Sequence, residues 1–113
     1  MKYDLEERTA KFAEDVIDLC KKVPQGPINN PIINQLVRSA TSIGANYMEA
    51  NGASSKKDFT NKAFICKKES METKYWLRIL KKAQFNLEDD CNKLWQEAQE
   101  FTLIFSKICG SSR

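Results

Sequence analysis

The residues that could carry chemistry in this chain are carboxylates, lysines and four cysteines, because the 113-residue sequence contains no histidine. Carboxylates on facing helices could hold two metal ions, but that site usually takes a Glu-x-x-His motif from two of its helices. Because the chain has no histidine, the Ser-His-Asp triad and the Cys-His nucleophile pair are excluded as well. With no nucleophile–base pair or phosphate loop in view, the sequence predicts a protein that is not an enzyme and has no cofactor, metal or small-molecule substrate.

The four cysteines, Cys20, Cys66, Cys91 and Cys109, form no C-x-x-C pair. That spacing disfavours a zinc or redox site, and two of the four fall on apolar helical stripes. We therefore expect all four to be reduced packing residues in a cytoplasmic protein. No stretch approaches the roughly 20 apolar residues of a membrane helix, and residues 1–8 have no signal-peptide core.

The strongest chemical signal is a concentration of positive charge in one segment. The chain carries 18 Lys/Arg against 15 Asp/Glu, a net charge of +3, but residues 56–82 alone carry nine against three. Five lysines lie along one edge of the predicted helix or flank it, and three of them recur every seven residues: Lys67, Lys74 and Lys81, with Lys68 and Lys82 beside them. Because such a row of ammonium groups attracts a phosphate backbone, it predicts RNA or DNA binding, although no zinc-finger, helix-turn-helix or RNP motif accompanies it.

An alternative leaves these lysines without a nucleic-acid partner. The first predicted helix carries the opposite charge through Glu6, Glu7, Glu14, Asp15 and Asp18. The two helices could therefore complement each other, within a subunit or across an interface, and a charged face is also often simply solvated. The protein would then be a protein-interaction or structural scaffold. Salt separates the two hypotheses, since phosphate-backbone binding weakens steeply as salt rises.

Helical periodicity runs along the whole chain and predicts a single all-α domain over residues 1–113. Apolar residues recur at alternating steps of three and four, the seam of helices that pack along their neighbours. Proline and glycine between Pro24 and Pro27 end the first helix, and Asn30 is the predicted cap of the second. The four predicted helices cover about residues 4–23, 31–51, 56–85 and 87–108. Joined by short loops, they predict an antiparallel up-and-down four-helix bundle.

The third predicted helix is apolar on more than one face. Outside its main stripe lie Phe64, Met71, Trp76 and Phe85, whereas a helix with its back to water should be polar there. A wide core face that covers a tilted neighbour would explain these residues. We favour a second interface used for self-association, which most often produces a closed, symmetric homo-oligomer.

Polar side chains stand among the small and apolar residues of the second and third helices: Arg38, Asn46, Glu49, Glu69 and Glu72. Buried charges persist only when they are paired and hydrogen-bonded. Antiparallel packing could bring Arg38 or Asn46 towards the carboxylates of the third helix, so we expect a polar network in a poorly hydrated seam that fixes helix register. The second helix also carries small residues that would let another backbone approach closely, namely Ser39, Ala40, Gly44 and Ala45.

At residues 38–50, Arg-Ser-Ala-Thr-Ser-Ile-Gly-Ala-Asn-Tyr-Met-Glu-Ala, the sequence resembles the small four-helix-bundle proteins encoded in intervening sequences of bacterial 23S ribosomal RNA genes. The resemblance continues through Lys57-Asp58-Phe59 and residues 68–78, and it spans about residues 4–83. It implies an all-α bundle that commonly assembles as a homopentameric ring. The family is similar to the accessory variability protein of diversity-generating retroelements, a basic pentamer that binds nucleic acid and partners a reverse transcriptase. The resemblance implies no catalytic residues and no established activity.

Overall fold

Four antiparallel α-helices make up the computed structural model, which describes residues 4–111. The helices are α1 (Leu5–Cys20), α2 (Asn29–Asn51), α3 (Lys56–Ala83) and α4 (Glu88–Ser111), with a single 3-10 turn at Phe85–Leu87. Each helix packs against the one before it, and α4 returns to α1 to close the bundle. The predicted all-α four-helix bundle is confirmed. No described helix is both long enough and apolar enough to cross a membrane.

The N-termini of α1 and α3 are capped by side chains. The Asp4 carboxylate accepts a hydrogen bond from the Glu7 backbone N–H at 3.2 Å, and the Ser55 hydroxyl accepts one from the Asp58 backbone N–H at 3.0 Å. Each bond satisfies an amide that has no partner inside the helix. Ser55 is therefore the N-cap of α3, as the sequence predicts.

The start of α2 and the ends of α1 and α3 differ from their predicted positions. Asn30 is not the cap of α2, because its side-chain oxygen accepts the Gly26 backbone N–H at 3.1 Å from within the helix. The first helix was predicted to run to Val23, but its last regular residue is Cys20. The Val23 N–H bonds to the Cys20 carbonyl at 3.1 Å, three residues back, so the chain tightens into a turn there. Likewise α3 ends at Ala83, and Phe85 lies in the 3-10 turn, whereas α4 was predicted to end at residue 108 and continues to Ser111.

The predicted apolar stripes form the core. The largest fully buried side chains include Phe12, Phe101, Phe105, Leu36 and Ile43. Some predicted members lie at the margin and are half-buried: Val23, Ile33, Tyr47, Phe59, Leu94 and Ile108. Others outside the predicted stripes are buried: Ile32, Ser39, Thr102 and Cys109. The core therefore extends slightly beyond the narrow seam that 3.5-residue spacing defines.

The helix pairs differ in how closely their backbones approach. In the α1–α2 pair, a Cβ atom added at Gly44 would lie only 3.0 Å from the Thr9 hydroxyl oxygen, so glycine is what allows this close crossing. The α1 and α4 backbones approach each other least among the contacting helix pairs. Long side chains span that gap: the rings of Phe12 and Phe101 meet edge to face at 5.4 Å.

Candidate nucleic-acid interface

The five predicted lysines divide between two faces of α3. The first face looks towards α4: Lys74 Nζ donates to the Gln99 side-chain oxygen at 2.5 Å, and Lys81 Nζ donates to that of Asn92 at 3.0 Å. Lys67 shares the seven-residue spacing of this edge and lies 5.9 Å from the ring of Phe64 on its own helix. The other two, Lys68 and Lys82, are exposed. Since one position along a helix is a rotation of about 100°, these two lie on the outer side of α3.

Beside the first face, a groove of about 340 Å³ runs between α3 and α4. Arg78 and Lys81 line it from α3, and Asn92 and Trp95 line it from α4. The ammonium group of Lys74 lies 5.2 Å from the centre of the Trp95 ring, a cation–π contact. The groove thus joins cations, an aromatic ring and neutral polar side chains. Arg78 and Trp95 were missed from the sequence, although Arg78 follows Lys74 at the four-residue spacing that places two residues on neighbouring positions of a helix face.

The cations in the second half of α3 are not neutralised within the subunit. Elsewhere lysines and arginines form ion pairs across the bundle, as Arg8 does with Glu97 at 2.8 Å and Lys22 with Asp90 at 3.1 Å. In contrast, none of the six Lys and Arg residues from Lys67 to Lys82 forms an ion pair with a carboxylate of residues 4–111. Positive potential therefore projects from this part of the surface into solvent.

The acidic helix α1 does not compensate these lysines within a subunit. In a bundle where each helix packs on its chain neighbours, α1 and α3 lie at diagonal corners, and their backbones do not come close to each other among the described residues. The carboxylate of Glu6 instead accepts a hydrogen bond from Asn51 of α2 at 2.9 Å, and Asp15 pairs with Lys11 of its own helix at 2.7 Å. The expectation of complementarity within one subunit is therefore wrong, and complementarity across an interface stays a prediction.

The predicted polar network contains one cluster centred on Arg38. Its guanidinium pairs with Glu69 at 3.3 Å and with Glu72, and Glu72 also accepts the Trp76 indole N–H at 2.9 Å. These two hydrogen bonds, the indole bond first, hold the pKa of Glu72 below its ordinary value. However, the Arg38 side chain is 44% exposed, so the expected poorly hydrated seam is wrong. The cluster lies at the rim of the α2–α3 contact and is reached by water.

Asn46 and Glu49 do not belong to that cluster. The Asn46 amide donates to the carbonyl of Ser42 in its own helix at 2.8 Å. Glu49 lies further along α2 and pairs with Lys62 at 2.7 Å. The predicted single network is therefore two separate surface contacts. The polar groups buried between α2 and α3 are hydroxyls instead: the Thr73 oxygen lies 3.0 Å from that of Ser39 and 2.7 Å from the Glu69 carbonyl.

We expect Arg38→Ala to lower the free energy of unfolding by only about 1 kcal/mol, because exposed ion pairs contribute little. The larger loss of a buried pair, about 3–5 kcal/mol, would require a dry site. The deficit should shrink as the pH falls through the lowered pKa of Glu72, where the protonated carboxyl no longer attracts the guanidinium. Urea unfolding at pH 7 and at acidic pH measures both effects. Arg38→Lys, which keeps the charge and loses the planar fork, is the matched control, and a loss above 3 kcal/mol would contradict the exposed geometry.

The four residues predicted to mediate self-association do not all lie on one face in the structure. Phe64 and Met71 are 49% and 50% exposed on the outer side of α3, and Phe85 is 79% exposed in the 3-10 turn. Trp76 does not share that face, because it packs against the core and donates its indole N–H to Glu72. Tyr75 takes its place outside, 54% exposed, with its ring 5.0 Å from that of Trp76.

The four cysteines are free thiols, and the surroundings of three of them suppress ionisation. Burial raises the pKa of Cys66 to about 12 and those of Cys20 and Cys91 to about 11. A thiol protonated at neutral pH is a poor nucleophile and a poor metal ligand. Among the residues that the structure describes, no three His, Cys, Asp or Glu side chains come together as a metal site.

Comparison with known proteins settles the family. The model of the 23S rRNA-intervening sequence protein family matches residues 1–107. The chain belongs to this family. It is also similar to a crystal structure from Bacteroides thetaiotaomicron VPI-5482, of a protein with unknown function from the S23 ribosomal protein family. The identity is 30%, the TM-score is 0.80, and the match covers 92% of this chain and 96% of that one. No curated protein matches the chain.

Membership of the 23S rRNA-intervening sequence protein family confirms the resemblance seen at residues 38–50 and beyond. The similarity in structure spans nearly all of both chains, so the four-helix architecture is shared over the whole length compared. The family description and the description of the similar structure indicate no enzymatic class.

Proposed function

We propose that this 23S rRNA-intervening sequence protein is a non-enzymatic, cytoplasmic, self-associating bundle that binds RNA or DNA through the edge of α3 that faces α4. The observation that carries the proposal is the uncompensated charge of Lys67, Lys74 and Lys81. Two of these ammonium groups are positioned by neutral side chains of α4, which hold them without cancelling their charge. They are thereby ordered in advance of binding, which lowers the entropy lost when phosphates are engaged.

Self-association would multiply this weak interface. Three lysines in one subunit make few phosphate contacts, but a ring presents the same edge once in every subunit. Several copies on one rigid body gain from a high effective concentration. The family resemblance favours a homopentamer, and the exposed apolar side chains of α3 supply the surface for such contacts. Because phosphate contacts carry no base information, binding should be broad in sequence.

The chemistry of the site supports a binding protein over an enzyme. The α3–α4 groove holds lysine, arginine, asparagine and tryptophan side chains, none of which is paired there with a carboxylate base. The one thiol that lines it, Cys91, has a pKa of about 11 and stays protonated near neutral pH. The reduced state of the four cysteines fits a cytoplasmic protein.

The test is binding of fluorescently labelled structured RNA and duplex DNA, followed by polarisation at several salt concentrations. Wild type should bind at about 50 mM salt and weaken steeply above it. The triple variant K67Q/K74Q/K81Q should lose most of this affinity and reduce the salt slope by about one for each lost phosphate contact. Glutamine keeps a hydrogen-bond donor for Gln99 and Asn92, so the oligomer should be unchanged.

A matched control removes the same charge elsewhere. K56Q/K57Q/K107Q neutralises three exposed lysines outside the α3–α4 edge and should leave affinity nearly unchanged. If wild type does not bind either nucleic acid at about 50 mM salt, where backbone contacts are strong, the proposal fails. The alternative, a protein-interaction scaffold, is favoured by the exposed apolar face of α3, and it predicts assembly without nucleic-acid affinity.

A further inference from the structure

One side of the bundle presents large side chains outward. The outer face of α3 consists of three half-exposed apolar residues, Phe64, Met71 and Tyr75, together with the exposed cations Lys68 and Lys82. The apolar residues are 49–54% exposed, so they project from the surface and are not covered by a neighbouring helix. The first four of these residues follow one another at steps of four, three and four, and Lys82 follows Tyr75 after two turns, so they form one ridge along the helix.

A different surface of the same subunit is a groove. Between α1 and α2 a cavity of about 320 Å³ is lined by small residues such as Ala10, Ala13 and Ala45, next to the close crossing at Gly44. Its lining is predominantly apolar. Met48 stands at its margin, 64% exposed, and a flexible thioether of this kind adapts readily to an incoming surface.

Carboxylates border this groove. Glu6 and Glu7 of α1 line one side of it, and both are exposed. No lysine or arginine lines it within the described residues. The groove is therefore concave, apolar and acid-rimmed, whereas the outer face of α3 is convex, apolar and flanked by cations.

We infer that the outer face of α3 of one copy docks into the α1–α2 groove of a second copy. Phe64, Met71 and Tyr75 enter the small-residue groove, and Lys68 or Lys82 meets Glu6 or Glu7 at its margin. This inference rests on the proposed self-association and names its surfaces.

The charges favour this pairing over a symmetric one. Packing α3 against α3 would bring lysines of both copies together in a desolvated interface, where like charges repel strongly. Packing α3 into the groove brings opposite charges together. Because the two surfaces are different patches of one subunit, the contact is head-to-tail, and such a contact builds a ring when its rotation closes. Lys74 and Lys81 donate hydrogen bonds to side chains of α4 and stay open to phosphate in this arrangement, whereas Lys67 lies beside Phe64 at the edge of the docking face.

Two single variants separate the two surfaces. Met71→Glu places a carboxylate on the outer face of α3 and should be repelled by the acidic rim. Ala45→Arg fills the groove and adds a cation that repels Lys68 and Lys82. Both positions are exposed, so the fold should be kept, which circular dichroism melts verify. Light scattering should show wild type at several times 13.0 kDa and each variant as a monomer. Gln96→Glu and Gln96→Arg, on the outer side of α4, make the same charge changes and should leave assembly intact.

Mixing the two variants is the decisive measurement. Met71→Glu retains an intact groove and Ala45→Arg retains an intact outer face of α3, so together they can form at least one contact. An equimolar mixture should therefore give mixed assemblies of at least twice the 13.0 kDa monomer mass. A mixture that stays monomeric, or an Ala45→Arg variant that still assembles like wild type, overturns the inference while leaving self-association standing. A wild type that is monomeric at all concentrations overturns the inference and the proposed self-association alike.

Discussion

Phe101→Ala is expected to lower the free energy of unfolding by about 3–5 kcal/mol, the usual cost of truncating a buried phenylalanine. Phe101 is fully buried, and its ring meets Phe12 edge to face at 5.4 Å and Phe105 at 6.5 Å. The guanidinium of Arg8 lies 5.2 Å from the ring centre as well. The substitution therefore removes three contacts at once and leaves a cavity where they met.

The position of this ring makes the loss hard to repair. Since the α1 and α4 backbones approach each other least, the seam between them depends on long side chains that reach across. Two charged links also cross this seam: Arg8 pairs with Glu97 and Glu100 at 2.8 Å, partly in solvent. Such pairs contribute modestly, and the backbones cannot move together without disturbing the tighter α1–α2 crossing.

Thermal and urea melts followed by circular dichroism measure the effect. At roughly 4 °C per kcal/mol for a domain near this size, the melting temperature should fall by about 12 °C or more. Leu103→Ala, which truncates a 58% exposed residue of the same helix, should stay within about 0.5 kcal/mol of wild type. A similar melting temperature for both variants would mean that the α1–α4 seam does not depend on the ring.

Features that depend on a single helix were predictable from the sequence. The inward stripe of α1 is buried as its spacing indicates, from Leu5 to Leu19, because apolar side chains three and four residues apart share one face of any helix. The Ser55 cap is local in the same sense, since it needs only the amide of Asp58. Asn30 shows the limit of such cues, because a side chain suited to capping also suits the loop bond to Gly26 that it makes.

Features that depend on how two helices are rotated against each other were not predictable from spacing alone. Arg38, Asn46 and Glu49 all lie on α2, yet only Arg38 reaches the carboxylates of α3. Glu49 meets Lys62 because that lysine lies opposite it in the antiparallel register. The place of Trp76 outside the main stripe indicated a surface residue, but its side chain is partly buried against the core. These choices depend on helix crossing and tilt, which many packed residues determine together.

The spacing of the five lysines in the sequence already indicates that they lie on two faces of α3. Lys68 and Lys82 each follow a member of the seven-residue row by one position, which is a rotation of about 100° on a helix. The prediction of a single basic edge therefore combined lysines from two faces of the helix. The structure separates them, and the separation lets one helix present a phosphate-binding edge and a protein-docking face at the same time.

Ser39→Leu is expected to lower the free energy of unfolding by about 3 kcal/mol, at the upper end of what overpacking a core costs. Ser39 is fully buried, and its hydroxyl lies 3.0 Å from that of Thr73 on α3. Ala40 and Ser70, which lie close along the two helices to Ser39 and Thr73, are also small and fully buried. A leucine at position 39 would therefore have to displace buried side chains.

Ser39→Ala is the matched control, because it removes the hydroxyl without adding volume. It gives up the long hydrogen bond to the Leu36 carbonyl at 3.3 Å and the contact with the Thr73 hydroxyl at 3.0 Å, and it gains helix propensity, so its net effect should lie within about 1 kcal/mol. Thr73 keeps its bond to the Glu69 carbonyl at 2.7 Å in both variants, so no hydroxyl is left without a partner. If urea unfolding gives Ser39→Leu and Ser39→Ala the same free energy of unfolding, the α2–α3 contact can accommodate the larger side chain and the prediction is wrong. If Ser39→Leu is clearly less stable, the loss is due to its volume, because both substitutions remove the same hydroxyl.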